Sequence, residues 1–355
     1  MYYKILLCVA CLVSFEMIAC KSVQPIQNTQ TTAYPQDSVA ERMLLYQRDN
    51  GGWPQPGGDA INYNLTVSST LKAKLLSEKK VYDTTIDDKA TTNEISTLVG
   101  AYKKTQNPAY IQAAERGIKY LLEAQNKAGG WGQFFPDTSG YHKHITYNDN
   151  AMIDVMNVLR NTAEAKNNFE VVDASLRPQA KEAVQKGIAC ILNTQYKQNG
   201  KLTAWCAQHD RVTLLPAKAR KFELPSLSGA ETVGIIHFLM GIDNPSPEVK
   251  RAINAAVSWL DAVKLVGIKI EEVKDPSLPK GKDRLVKSDP NSTLWARFYN
   301  YETNVPFFTG RDSVPRATLA DIENERRVGY AYYGIWPAKL LAVDYPNWVK
   351  KWDKK

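Results

Sequence analysis

The sequence predicts an all-α protein, built from helical hairpins arranged as a barrel or toroid, with short peripheral strands and an irregular C-terminal segment. The first observation behind this is an internal repeat. "MLLYQRDNGGWPQ" (Met43 to Gln55) is matched by "YLLEAQNKAGGWGQ" (Tyr120 to Gln133) and, more loosely, by "CILNTQYKQNGKLTAW" (Cys190 to Trp205). Each copy has an apolar pair, a Gln, a polar run, glycine and then Trp. Trp53, Trp131 and Trp205 recur at spacings of 78 and 74 residues, a period that holds two helices and their loops. The second observation is helical periodicity between the copies.

The chain opens with a leader, Met1 to Ala19, in which Lys4 precedes the apolar run "ILLCVACLVSF". That is the pattern of a secretion signal, too short and wrongly flanked for a membrane-spanning helix. The ending "MIAC" reads as a lipobox, with Cys20 becoming the lipid-bearing first residue of an exported bacterial lipoprotein of the cell envelope. Residues 20–40 are polar and proline-containing and read as a flexible tether. Residues 41–355 carry no Gly/Ser-rich linker and read as a single domain.

Each repeat copy reads as a helix end, with glycine supplying the left-handed residue and the Trp folding back onto the helix. "NEISTLVGAYKKT" places Ile95, Leu98, Val99 and Tyr102 at helical spacing. "PAYIQAAERGIKYLLEAQ" starts with Pro108 and sets Ile111, Ala114, Ile118, Leu121 and Leu122 on one face. "NDNAMIDVMNVLRNTA" with "PQAKEAVQKGIACILNTQ" forms a second hairpin, and "SGAETVGIIHFLMGI" with "SPEVKRAINAAVSWLDAVK" a third. "GIKIEEV" reads as a peripheral strand, and the tail from Leu285 onwards is irregular and rich in Arg and aromatics. Cys190 and Cys206 read as small buried residues ahead of a disulfide.

Charge narrows the partner. Lys and Arg number 45 against 37 Asp and Glu, a net +8. On an exported protein this points to a polyanion other than nucleic acid, and an acidic polysaccharide fits the compartment. The only membrane contact expected is through the Cys20 lipid.

Three groups of side chains are candidates for chemistry. Asp87 and Asp88 stand just before Thr91 and Glu94, whose spacing is that of a capping box. The helix should then start near Thr91, leaving both acids in the preceding loop, where they can face a cleft or simply form a solvated turn. Asp149, between Asn148 and Asn150, is either a helix cap or a second rim carboxylate, since it lies 62 residues, close to one repeat, after Asp87. Oxygen ligands there suit a hard cation, Ca²⁺ above all. The third group is arginine among aromatics: Arg220, Arg297, Arg311, Arg326 and Arg327, suited to binding carboxylates in bidentate fashion or to structural ion pairs. His142, His144, His209 and His237 lack zinc-ligand spacing. No nucleophile elbow, phosphate loop or dinucleotide fingerprint occurs.

The motifs "GGWPQ", "TIDDKATTNEI", "GGWGQFFP", "HITYNDNAM", "LPAKARKFELPSLSG", "WARFYNYETNVPFFTGRDS" and "ERRVGYAYYGIWP", in this order from about Met43 to Trp336, resemble the pectate lyases of polysaccharide lyase family 10. The resemblance implies an (α/α)3 toroid and Ca²⁺-dependent β-elimination of polygalacturonate. It implies Asp87 as the acidic residue at the catalytic calcium, Asp149 as a second acidic residue and metal ligand of the cleft, and Arg220 as the catalytic base. It also implies Arg297 and Arg311 as uronate-binding, with Arg326 and Arg327 as cleft residues of the same kind. Asp88, placed with the substrate-binding set, and Lys89 depart from the family pattern, in which Asn and a smaller residue are usual. An arginine base needs its high pKa lowered by burial and neighbouring cations, or alkaline pH. A metal-independent (α/α) glycoside hydrolase, which would need paired carboxylates across the scissile bond, and a non-catalytic, lipid-tethered pectin binder are the competing classes.

Overall fold

The computed structural model describes residues 34–352. The leader, Cys20 and most of the tether lie outside the described residues. From Pro35 on, the chain gathers into one compact unit. Among the described residues no helix is long and apolar enough to cross a membrane.

Helices α1 (Ser38–Tyr46), α2 (Ser69–Ser77), α3 (Thr92–Thr105), α4 (Pro108–Glu123), α5 (Ala151–Glu164), α6 (Arg177–Thr194), α7 (Glu231–Met240) and α8 (Pro247–Ala262) dominate the first three quarters of the chain. Their starts are written locally. Asp37 accepts from the Val39 and Ala40 amides, and Asn107 and Ser246 cap helices whose first residue is proline. The expected hairpins form: α3 packs on α4, α5 on α6, and α7 on α8. Alternate helices also touch, α1–α3–α5–α7 in one row and α4–α6–α8 in another. In the first row α7 is apolar almost all round, burying Val233, Ile235, Ile236, Phe238 and Leu239.

The repeat is a packing device. After α1, α4 and α6 the Trp indole N–H donates back to a carbonyl near the helix end: Trp53 to Met43 at 2.8 Å, Trp131 to Leu121 at 2.7 Å, and Trp205 to Ile191 at 2.7 Å. All three rings are fully buried. The repeat glutamine ties its own loop to the next unit. Gln47 donates to Gly51 O and Ala113 O, Gln125 to Gly129 O and Ala183 O, and Gln195 to Thr203 O and Ala252 O. Gly51 (φ +93°) and Gly129 (φ +87°) are needed twice over, because a Cβ on either would stand 2.4 Å from a carbonyl oxygen of the neighbouring helix.

The all-α expectation is overturned. Helix makes up about 47% of the described residues and strand about 15%, and a toroid of helices alone does not describe the chain. After α8 the backbone enters an antiparallel hairpin of Leu265–Lys274 and Lys282–Ala296, with Tyr333–Gly334 as a third strand. Period-2 alternation drives it: Ile270 packs on a second small core of Phe298, Phe308, Leu319, Ile322 and Tyr332. This hairpin interrupts a fourth copy of the Trp device. Trp295 donates to Leu260 O in α8 at 2.7 Å, but reaches it only at the end of the returning strand. The segment from Leu285, read as irregular, is thus the returning strand, and it ends in the buried run Leu294–Ala296, directly before Arg297. The tail has α9 (Asn324–Gly329), a turn α10 (Pro337–Lys339), a π-helical stretch and α11 (Tyr345–Trp352).

The capping box is corrected in its mechanism. α3 does start beside Thr91, but the Thr91 hydroxyl makes no cap bond; it donates to Thr85 O and accepts from the Trp53 amide. Glu94 is buried and accepts from the Tyr63 hydroxyl at 2.8 Å, and burial pushes its carboxyl up to about 7. Cys190 and Cys206 are buried and free.

Candidate active site

The rim is assembled by one hydrogen-bond pattern used three times. Thr85, Thr146 and Ser228 each donate their amide to the carbonyl of a repeat tryptophan: Trp53, Trp131 and Trp205. The segment after each of them turns into the next first-row helix, so the turns before α3, α5 and α7 stand on one face. Two of these are single 3₁₀ turns, Asp87–Lys89 and Asn148–Asn150, with a left-handed middle residue: Asp88 at φ 43° and Asp149 at φ 48°. Such conformations cost on the order of 1 kcal/mol, least for Asp and Asn. By backbone conformation Asp149 corresponds to Asp88, the second residue of its turn, and Asn148 to Asp87.

Asp87 is mostly buried, its amide donating to Thr85 Oγ1 at 3.0 Å. Its carboxyl is pushed above the usual range by burial first, then by Asp88; the Gln133 side chain lowers it, Asp149 raises it further, and Arg220 lowers it. Asp149 and Arg220 therefore both act on Asp87. Asp149 lies 3.5 Å from Arg297 NH1 and accepts from Asn148 Nδ2 at 2.7 Å. Asp88 is exposed and accepts from Gln55 Nε2 at 2.8 Å.

Arg297 is buried, donating to Glu231 Oε1 at 3.1 Å and the Tyr330 hydroxyl at 3.3 Å. Tyr330 and Trp336 lie 5.0 and 5.5 Å from its guanidinium carbon. Burial alone would lower Arg297, but Glu231, Tyr330 and Asp149 hold it above its ordinary value. Arg220 is gripped by Glu223, Nε to Oε2 at 2.8 Å and NH2 to Oε1 at 2.5 Å. That carboxylate raises the guanidinium well above its ordinary range. The lowered pKa that an arginine base requires is thus not what the free protein provides.

Arg311 and Arg326 share Glu325, which they draw down to about 2. Arg220, Arg311 and Arg326 surround the Phe222 ring at 5.0, 5.9 and 4.5 Å. Arg327 stands apart from this group: both its Nε and NH2 bond Asp283 at 2.8 Å, and NH1 bonds Ile322 O and Ala320 O. It clamps α9 to the turn end of the strand hairpin.

Sequence reasoning missed Glu223, Glu231, Gln133, Tyr141, Phe222 and Tyr330. Tyr141 feels Arg220, Glu223 and Asp87 together, which sets it between the acidic and basic halves of the site. Glu223 stood three residues from Arg220 and was legible as its partner; Glu231 and Tyr330 come from distant elements and left no local signal.

Among the described residues no group of three or more His, Cys, Asp or Glu side chains is gathered for a metal. The oxygens beside Asp87 nevertheless suit a hard cation. Asp88 and Asp149 both raise the proton affinity of Asp87, and Asn148 Oδ1 is buried without a partner. A cation that takes six to eight oxygens would complete such a shell with water or an anionic ligand.

The family model described as pectic acid lyase matches residues 47–341. A family 10 polysaccharide lyase from Cellvibrio cellulosa is 34% identical, over 88% of this chain and 91% of that one, with a TM-score of 0.75. A mutant of a family 10 polysaccharide lyase from the same organism, solved in complex with trigalacturonic acid, is 34% identical over 88% of this chain and 92% of that one, with a TM-score of 0.76. Among curated proteins none matches.

Proposed function

The chain belongs to the pectic acid lyase family, and from that premise we propose how its residues divide the work. The protein is a polysaccharide lyase acting on pectate. The observation that carries the division is the meeting of Asp87 and Asp149 with Arg220 and Arg297 on one rim. The trigalacturonic acid bound by the solved relative supports a polygalacturonate substrate here.

Elimination breaks two bonds of one galacturonate: the C5–H bond, whose proton passes to a base, and the C4–O bond, whose electrons leave with the departing sugar. The cost lies in the dianion-like carbanion formed next to the carboxylate, whose electron pair becomes the C4=C5 double bond. Asp87 and Asp149 would hold a calcium ion, with Asn148 Oδ1 as a further oxygen. When bound, such an ion supplies Lewis-acid neutralisation of the uronate carboxylate.

The chain's own cations do the rest. Arg297 is already charged, fixed by Glu231 and backed by Tyr330 and Trp336, so it can meet a uronate without reorganising. Arg311 and Arg326, around Phe222, extend the cationic surface and exchange Glu325 for a substrate carboxylate. Arg220 is set beside Asp87 and is the candidate for the C5 proton. To accept it, Arg220 must first lose a proton that Glu223 holds in place, which alkaline pH favours. Arg327 keeps its Asp283 partner and supports the wall. Asp88 reaches the rim through Gln55.

Incubation with polygalacturonate tests the reading. The expected product is an unsaturated uronide with ultraviolet absorbance. New reducing ends without that absorbance would favour hydrolysis, and binding without either would favour a pectin-binding protein. The leader and Cys20 support an exported, lipid-tethered placement. Cys20→Ala should release the protein from the membrane fraction.

A further inference from the structure

A second recess opens beside the Asp87 turn, and no step above uses it. Its volume is about 200 Å³, and its polar lining is Gln55, Asp88, Lys89, Asn93 and Glu94. Glu94 is 4% exposed. One of its oxygens takes the Tyr63 hydroxyl; the other, Oε2, is buried with no partner. A buried carboxylate oxygen left without donor or counter-charge is costly, and its retention calls for an explanation.

The surrounding chemistry narrows what could meet it. Gln55 donates its amide nitrogen to Asp88 Oδ2, which leaves the Gln55 carbonyl oxygen for a donor or a cation. Lys89 is the one cation of the lining, but it also borders the neighbouring recess, where it lowers the carboxyl of Asp154. An anion would face two carboxylates. The turn above is strained as well, with Asp88, Lys89 and Thr91 all at positive φ (43°, 67° and 67°). Strain of this kind persists only where the surroundings hold it.

We propose that this recess is a second divalent-cation site, of the hard, oxygen-seeking class, with Glu94 and Asp88 as carboxylate ligands and Gln55 and Asn93 as amide ligands. Two acids suffice because amide oxygens and waters complete the shell, and the recess has room for both. The cation ties the Asp87–Lys89 turn to the start of α3 and so fixes the backbone that carries Asp87. The proposal is independent of whether Asp87 and Asp149 hold a cation of their own.

The test is titration of the full chain with Ca²⁺ alone at pH 7.5, by calorimetry, with Tb³⁺ luminescence sensitised by Tyr63 as a local report. The wild type should give the emission, and Glu94→Gln should lose it together with one bound equivalent. Asp87→Ala should keep it. If Asp87→Ala changes no stoichiometry, the reading of the Asp87 pair fails while this site stands. Equal stoichiometry, affinity and emission in wild type and Glu94→Gln would overturn the proposal, as would absence of emission from the wild type, the result expected if Glu94 simply carries a proton. Should Glu94→Gln lack a cooperative melt, Asp88→Asn decides. It should weaken the emitting site about tenfold or more, and unchanged affinity would overturn the proposal.

Discussion

Glu223 grips Arg220 at three points: its carboxylate accepts from the Arg220 amide at 3.1 Å, from Nε at 2.8 Å and from NH2 at 2.5 Å. Tyr330 donates to the same carboxylate at 3.0 Å. Arg220, which we propose takes the C5 proton, is therefore held as a cation, and what releases it would set the pH dependence.

Glu223→Gln removes the charge that holds Arg220 above its ordinary value while keeping the shape. If neutral Arg220 is the base, the rise of kcat with pH should move to lower pH, so the ratio of rates at pH 8 and pH 10 increases. Stopped-flow or steady-state pH profiles check this. A profile that falls uniformly without shifting would mean that Arg220 works only as a fixed charge.

Asp87 carries a raised carboxyl pKa because it is buried, with Asp88 and then Asp149 adding to the effect. A folded pKa above the unfolded one opposes folding at neutral pH, and the penalty fades as pH falls through the folded value. Asp87→Asn should therefore raise Tm at pH 7 in the absence of calcium, while lowering kcat by about 10²-fold or more. Calorimetry of the metal-free protein reads the first and the ultraviolet assay the second. A lower Tm would show the carboxylate to be structurally satisfied.

His209 is fully buried and neutral; its Nδ1 hydrogen goes to Leu214 O, and Nε2 accepts from the Cys206 amide. Burial lowers its pKa to about 4. Because the folded value is depressed from 6.5, its contribution is complete above pH 6.5 and is lost as pH falls toward 4, by roughly 3 kcal/mol in all. Glu94, raised to about 7, works in the opposite direction over pH 4.5–7. Denaturation of wild type against His209→Gln cancels the Glu94 contribution. The gap in stability should shrink by that amount between pH 7 and pH 4, and a constant gap would contradict the assignment.

Gln125 joins the loop after α4 to Ala183 O of α6. Gln125→Ala should cost about 1–3 kcal/mol, since two buried carbonyls lose their donor. Urea denaturation measures it, and a change under 0.5 kcal/mol would show that the loop re-pairs.

The parts legible in the sequence are those whose chemistry is local. A Gly–Trp pair after an apolar helix names its own helix end, and Trp53, Trp131 and Trp205 behave as that pattern says. Of the hairpin, "GIKIEEV" in Leu265–Lys274 was legible as a strand, whereas its partner Lys282–Ala296 was hidden because it is half exposed, mixes Lys, Asp and Arg with Leu and Val, and includes Pro290. Its fold-level meaning, an insertion between α8 and the fourth tryptophan, depends on a contact across 35 residues. Thr91 misled for a similar reason: the spacing to Glu94 was right, but tertiary partners took its hydroxyl. In the site, the carboxylates and Arg220, Arg297, Arg311 and Arg326 were legible as charges among aromatics. Their pairing through Glu223, Glu231 and Glu325 was not.

In the site we propose, Asp87 and Asp149 hold a calcium ion against the substrate carboxylate. The most direct measurement is the rate of unsaturated-product formation from polygalacturonate as a function of free Ca²⁺, for wild type and Asp149→Asn, with EDTA as the zero point. Expected are no rate in EDTA, full recovery on adding Ca²⁺ to the wild type, and a calcium requirement at least about tenfold higher in Asp149→Asn. Turnover that survives EDTA, or an Asp149→Asn curve that overlays the wild type, would contradict it.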